Sequence, residues 1–162
     1  RKKFFSIFFI DVTASKREVK KWDQPIISDH NKSFNGFLVS NIFNTQHYLL
    51  QVCQEPGFQS PKFTSTISEK NYLPKDFKKY RYSSHFMNNK KLLDITNSDE
   101  GGRFFKNQTR NVVCQIQNYK KINLNKRFIW VSHNQIVDLI NKNLVTIEAR
   151  ILFACYNIDK IK

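Results

Sequence analysis

Glycine and proline are scarce, four of each in 162 residues. A collagen-like or Gly/Pro-rich low-complexity chain is excluded by that alone. Cysteine is scarcer still: Cys53, Cys114 and Cys155 are odd in number, far apart and free of any CxxC pair. Neither a disulfide framework nor a zinc site is indicated, and each cysteine reads as a small apolar packing residue in a reducing compartment. His30, His47, His85 and His133 show no metal-ligand spacing. Long apolar runs are missing too; Phe4 to Ile10 falls far short of the roughly 20 residues a membrane-spanning helix needs. No clear signal peptide precedes it. The chain begins at Arg1 rather than Met, which reads as a start inside a longer protein.

Negative charge is the last thing in short supply. Thirteen acidic residues face 27 basic ones, for a net charge of +14. Such an excess favours anionic partners: nucleic acid, an anionic membrane surface or a phosphorylated small molecule. The basic residues are scattered in short pairs, such as Lys20-Lys21, Lys78-Lys79 and Lys120-Lys121, with no basic helix or arginine-rich tail. That dispersion reads as a solvated basic surface rather than a nucleic-acid patch. No aromatic-basic RNA signature is present, and neither nucleic acid nor membrane is expected as a partner.

What the chain has in quantity is apolar and aromatic side chains, 40% and 14% of residues, with 15 phenylalanines. That is enough for one domain with a true core. Phe4 to Val12 reads as a strand, and Trp22 to Ile27 as an edge or entry strand because Pro25 cannot donate to a ladder. Gly36 to Phe43 and His47 to Gln54 read as a hairpin turning at Asn44-Thr45-Gln46. Lys62 to Ser68 alternates with period two, as a half-buried strand does. Glu69 to Asn89 reads as loop with one short helix. Leu92 to Ile95 and Val112 to Ile116 flank an acidic turn and form a strand pair. Phe128 to Val131 is one more short apolar run. Ser132 and Gln135 predict a capping box for a helix over His133 to Ile140, and Thr146 caps a second helix to about Tyr156. Strands first and helices last predict an α+β domain spanning residues 1–162, a mixed, mainly antiparallel sheet with the helices on one face or end.

The acidic turn is the focal stretch. Asp99-Glu100-Gly101-Gly102-Arg103-Phe104 brings together two of the four glycines, two carboxylates and an arginine. Around it runs an ordered series: Trp22-x-Gln24-Pro25, Leu50-Gln51-x-x-x-Glu55-Pro56-Gly57, Ser60-Pro61, Thr66, Asn71-Tyr72, Phe128-x-Trp130-x-x-x-x-Gln135, and Val145-x-x-Glu148-Ala149-Arg150. In order and spacing, from Phe4 to Tyr156, these segments resemble the NDP-hexose 2,3-dehydratase family, and its second, C-terminal repeat in particular.

The resemblance implies a Nudix-like fold, although no Nudix box is present and Nudix-type hydrolysis is not expected. It implies loss of water across C2 and C3 of an NDP-4-keto-6-deoxyhexose in deoxysugar synthesis, with no cofactor. Glu100 and Glu55 are then the acid–base carboxylates. Trp22, Gln24, Gln51, Thr66, Tyr72 and Arg103 are the substrate contacts, with the aromatics stacking on the base and Arg103 clamping a phosphate. Arg110 and Asn111 are expected to support the turn, and Arg150 to pair with Glu148. Implied partners are a dTDP-sugar, the N-terminal repeat and a second subunit, in the cytoplasm. One departure stands out: Cys53 occupies a position where the family usually carries lysine. It leaves open a rival reading, a non-catalytic Nudix-like module that binds a nucleotide or nucleotide sugar.

Overall fold

The computed structural model describes residues 5–29, 32–54, 57–72, 74–98 and 103–158; the side chains of residues 29, 71, 72 and 74 are likewise outside the description. β1 (Phe5–Thr13) and β2 (Lys21–Asp29) form an antiparallel ribbon of their own, with Pro25 opposite Phe9. Pro25 lies two residues before Ile27, whose N–H points away from β1, so the missing N–H falls on the outer side of the ribbon and the ladder loses no bond. The ribbon is tied to the exit of the acidic turn. Ile27 donates its N–H to the Arg103 carbonyl at 2.9 Å and accepts from the Phe105 N–H at 2.7 Å, while Phe8 meets the Phe105 ring edge to face.

The main sheet is built on β3 (Lys32–Ile42) and β4 (Thr45–Cys53). They join through Phe43 and Asn44, both with left-handed φ, at 48° and 58°. This two-residue turn matches the twist of the flanking strands. It lies one residue earlier than the expected Asn44–Gln46 turn, so Thr45 and Gln46 already belong to β4.

The two strands pair only from Val39–Ile42 to Thr45–Tyr48 and then diverge. β5 (Lys62–Thr64) pairs with the far end of β4, and β6 (Ile67–Tyr72) with the near end of β3. The single strand expected over Lys62 to Ser68 is therefore two, broken at Ser65 and Thr66, which are both buried. Their hydroxyls explain the break. Thr66 Oγ1 accepts from the Leu38 N–H at 2.9 Å and donates to the Leu49 carbonyl at 2.6 Å, bridging the strands where they part. Ser65 Oγ donates to the Asn35 side-chain oxygen and contacts the Ile67 carbonyl.

After β6, which takes in Glu69 to Tyr72 from the stretch expected as loop, come a 3-10 turn (Pro74–Lys79) and α1 (Ser83–Asn88), the one short helix expected there. Their aromatic residues carry no helical period, but Phe77, Tyr82 and Phe86 are buried. β7 (Lys91–Ser98) and β8 (Gln108–Gln115) pair antiparallel, as expected of the strands flanking the acidic turn. β8 then runs parallel to β3, Phe34 opposite Arg110 through Val39 opposite Gln115. β9 (Phe128–Ser132) adds to β4. The result is a seven-stranded mixed sheet beside the two-stranded ribbon, mainly antiparallel as the sequence suggested, with β3 and β8 as its parallel pair.

Two apolar layers cover this sheet rather than one. Leu38, Leu49, Val112 and Cys114 pack under Phe77, Tyr82 and Phe86. On that side a Cβ on Gly36 would lie 2.6 Å from the Phe86 ring, so only glycine admits the helix this close. Phe37, Tyr48, Leu50 and Val113 pack against α2 (His133–Asn141) and α3 (Ile147–Ile158). The expected capping box is present, with Gln135 N–H to Ser132 Oγ at 3.3 Å and Ser132 N–H to Gln135 Oε1 at 2.8 Å. Thr146 Oγ1 accepts from the Ala149 N–H at the start of α3. Among the described residues no helix is long and apolar enough to cross a membrane.

Thr66→Val keeps the side-chain shape and strips both hydrogen bonds, leaving a buried N–H and a buried carbonyl short of a partner. A loss of about 2–4 kcal/mol is expected, read as a lower urea midpoint with unchanged m-value. Thr66→Ser should retain most of the stability.

Candidate functional site

The parting of β3 and β4 opens space on both sides of the new strands. Successive residues of a strand point to opposite faces, and β6 uses this: Glu69 lines one cavity and Lys70 another.

The first is a cleft of about 220 Å³ on the side of the 3-10 turn, walled by Gln51, Thr66, Glu69, Tyr80, Arg127 and Phe128. Two residues expected from the sequence, Gln51 and Thr66, thus come together from different strands. The Thr66 hydroxyl is spent on Leu38 and Leu49, so what Thr66 gives the cleft is its floor. The titratable pair beside them had no signal in the sequence. The Glu69 carboxyl and the Tyr80 phenol line the cleft together. Burial pushes the Glu69 carboxyl up, opposed by its interaction with the Tyr80 hydroxyl, and burial together with the Glu69 charge pushes the Tyr80 phenol up. A carboxyl held toward its protonated form next to a phenol is suited to hand a proton to a bound hydroxyl. Arg81, at the rim, donates to the Asn123 carbonyl at 2.8 Å and lies over the Tyr82 ring.

The second cavity, about 490 Å³, lies between the end of β4, β5 and the start of α3. Gln54 and Phe58, which flank the Glu-Pro-Gly segment, meet Val145, Glu148 and Arg150 of the Glu-Ala-Arg segment there. Lys62 is 5% exposed; its ammonium donates to the Asn143 carbonyl and sits 4.2 Å from the Phe58 ring centre. Lys62 is also in register with Cys53 across β4 and β5. Arg150 does not pair with Glu148. Residues two apart on a helix do not face each other; Arg150 Nε instead donates to the Val145 carbonyl at 2.8 Å and its guanidinium to Asn143 Oδ1, while Glu148 meets Lys70 at 3.5 Å.

The remaining expected residues are spread elsewhere. Trp22 Nε1 donates to Gln24 Oε1 at 2.8 Å on the β1–β2 ribbon, and neither lines the two cavities. Arg103 is exposed where the acidic turn meets that ribbon. Glu55 and Glu100 lie outside the described residues, as does the side chain of Tyr72. Arg110 and Asn111 are both tied into the sheet. Arg110 clasps Asp94 through Nε and a terminal nitrogen, each at 2.8 Å, and buried Asn111 accepts from Asn35, which also reaches the Glu148 carbonyl.

Fold and clefts together define a mixed α+β domain with a carboxyl–phenol pair in one cleft and a cationic cavity beside the strand that carries it. Residues 1–156 match the sequence profile of the NDP-hexose 2,3-dehydratases, and the chain belongs to that family. A dTDP-4-dehydro-6-deoxy-alpha-D-glucopyranose 2,3-dehydratase of Streptomyces violaceoruber is 28% identical over 159 residues, covering 94% of this chain and 36% of its own length. Enzymes of the same name from Saccharopolyspora spinosa and Amycolatopsis orientalis are 23% and 26% identical, over 94% and 96% of this chain and 33% and 34% of theirs. The chain thus spans about a third of the length of the curated relatives it matches.

The Asp94–Arg110 clasp yields a pH prediction. The Arg110 hydrogen bond, helped by Lys91 and opposed by burial, holds the Asp94 carboxyl down at about 2, against an ordinary 3.8. A carboxyl lowered on folding stabilises above its unfolded pKa and loses that contribution as pH falls through the folded one. Thermal unfolding should therefore show a loss between about pH 4 and pH 2 that Arg110→Met largely removes, with Lys91 keeping the remainder. The pair is exposed, so the difference should stay near or below about 1 kcal/mol.

Proposed function

We propose that this chain is one repeat, the second and C-terminal one, of a nucleotide-sugar 2,3-dehydratase. Its substrate is a dTDP-4-keto-6-deoxyhexose, and it works with an N-terminal repeat, as a homodimer, in the cytoplasm. Family membership supports the reaction class, and the names of the relatives support the dTDP-sugar. The observation that carries the reading in this chain is the cleft that gathers Gln51 with the Glu69–Tyr80 pair.

The chemistry needs no redox step. The C4 ketone acidifies the C3 proton; a base removes it, and the electron pair moves to the C4 oxygen as an enolate. Donors to that oxygen lower the barrier. The enolate then re-forms the ketone and expels the C2 hydroxyl, which leaves as water after taking a proton from an acid. The resulting enol at C3 becomes the 3,4-diketo-2,6-dideoxy sugar. Glu100 and Glu55 are the carboxylates we propose for acid–base work. Glu69 joins them as the group suited to protonate the leaving hydroxyl, because burial holds its carboxyl toward the neutral form. Gln51 reads sugar hydroxyls, Thr66 holds the cleft floor under them, and Arg103 takes a phosphate. Trp22, Gln24 and Tyr72 contact the nucleotide.

The test follows dTDP-4-keto-6-deoxyglucose in D₂O by NMR, with the chain alone and as part of a two-repeat protein. Turnover that falls by about 10²-fold or more in Glu69→Gln, with TDP affinity unchanged, is the expected result. Saturable TDP binding without turnover in either form would assign a non-catalytic binding module, the reading to which Cys53 points. Absence of TDP binding from both forms would refute the nucleotide-sugar assignment.

A further inference from the structure

Among the described residues, the cavity around Lys62 is lined by more positive than negative charge. Its charged lining is Lys62, Lys70 and Arg150 against the single carboxylate Glu148. Glu148 stands with Lys70 at the rim, where the Lys70 side chain is 78% exposed. Lys62 is different, at 5% exposed. Its partners among the described residues are a carbonyl oxygen and an aromatic ring, and neither carries a formal negative charge. Burying an ammonium without a counter-charge is costly, and the cost is relieved when an anion occupies the adjoining space.

The space is there, and so are the donors. An ammonium offers three N–H groups and a guanidinium five. Lys62 spends one on Asn143, and Arg150 spends its Nε–H on Val145 and a terminal N–H on Asn143. The rest can turn to a guest in a cavity of about 490 Å³, which is room for more than one phosphate group. The lining adds Gln54 and Thr146 as polar neighbours, whereas the Glu69–Tyr80 pair faces the other cleft.

We propose that this cavity is a binding site for a phosphate or diphosphate group, with Lys62 as its buried anchor and Lys70 and Arg150 as the flanking cations. The assignment does not depend on the dehydratase reading, since it rests on Lys62 and the cavity alone. Whether the group arrives on a nucleotide or free is decided by the ligands used in the test.

The experiment titrates the chain with pyrophosphate and with TDP by calorimetry, and follows its melting temperature in phosphate-free buffer with and without pyrophosphate. Expected are saturable one-to-one binding, a ligand-induced rise in melting temperature, and a loss of about tenfold or more in affinity for Lys62→Met. Lys62→Met should melt no lower than the unaltered chain without ligand, because it removes a buried charge. Lys70→Ala, at the exposed rim, tests the site without touching the interior and should weaken binding about threefold. TDP binding that is tighter than pyrophosphate and is weakened in Lys62→Met identifies a nucleotide as the source, and equal affinities weakened by the same substitution identify free diphosphate; either supports the site. Glu69→Gln should bind both ligands normally, which separates this site from the dehydration cleft. Absence of saturable binding, or wild-type affinity in both lysine variants, overturns the proposal. So does a chain insensitive to pyrophosphate whose destabilised Glu55→Gln variant is rescued by Lys62→Met, because Lys62 would then belong to an internal ion pair.

Discussion

The Thr66 hydroxyl is the hinge of this architecture. A hairpin whose strands separate exposes a backbone donor on one and an acceptor on the other, deep in the sheet where water cannot serve them. Thr66 meets both, taking the Leu38 N–H and giving its proton to the Leu49 carbonyl. With the fork closed in this way, β5 can follow one arm and β6 the other. A valine would fill the same volume and leave the fork unsatisfied, an arrangement that protein interiors rarely tolerate.

Both cavities follow from the fork. Since β6 leaves it along β3, alternate side chains of one strand serve different sites: Glu69 one way, Lys70 the other. The apolar layers keep the sites distinct. Phe77, Tyr82 and Phe86 close over one face, and α2 and α3 over the other. Buried amides brace the region between them. Asn35 bonds to Asn111 on the parallel strand and to the Glu148 carbonyl at the start of α3, and Ser65 bonds to Asn35. Three side chains and a backbone carbonyl, from four separate stretches of sequence, are thereby fixed to one another, which is what a preorganised site requires of its surroundings.

Charge is arranged with similar economy. The net charge of +14 is distributed over the surface, yet specific cations are tied to specific tasks. Arg110 clasps Asp94 and locks β7 to β8, Arg150 fastens the loop before α3, and Lys62 is drawn inside. The first two are bound to protein acceptors in the positions that structural arginines usually hold. Lys62 alone among them is buried without a formal counter-charge among the described residues.

Much of the secondary structure was legible in the sequence, because local chemistry decides it. Pro25 ruled out a central strand, and Ser132 with Gln135 wrote the start of a helix that the structure repeats hydrogen bond for hydrogen bond. The order of short motifs identified the family. Sequence alone misread the stretches where neighbours in space outweigh neighbours in the chain. Lys62 to Ser68 alternates as one strand would, yet it breaks at Ser65 because the diverging hairpin requires their hydroxyls. Glu148 and Arg150 look like an ion pair in print but point away from each other on a helix. Glu69, Tyr80 and Lys62 carried no motif; their importance arises from burial and from what lies across the cleft. Local propensity and patterning set the elements and the family, while the tertiary structure alone decided which polar groups would be buried together, since desolvation is a property of the packed chain.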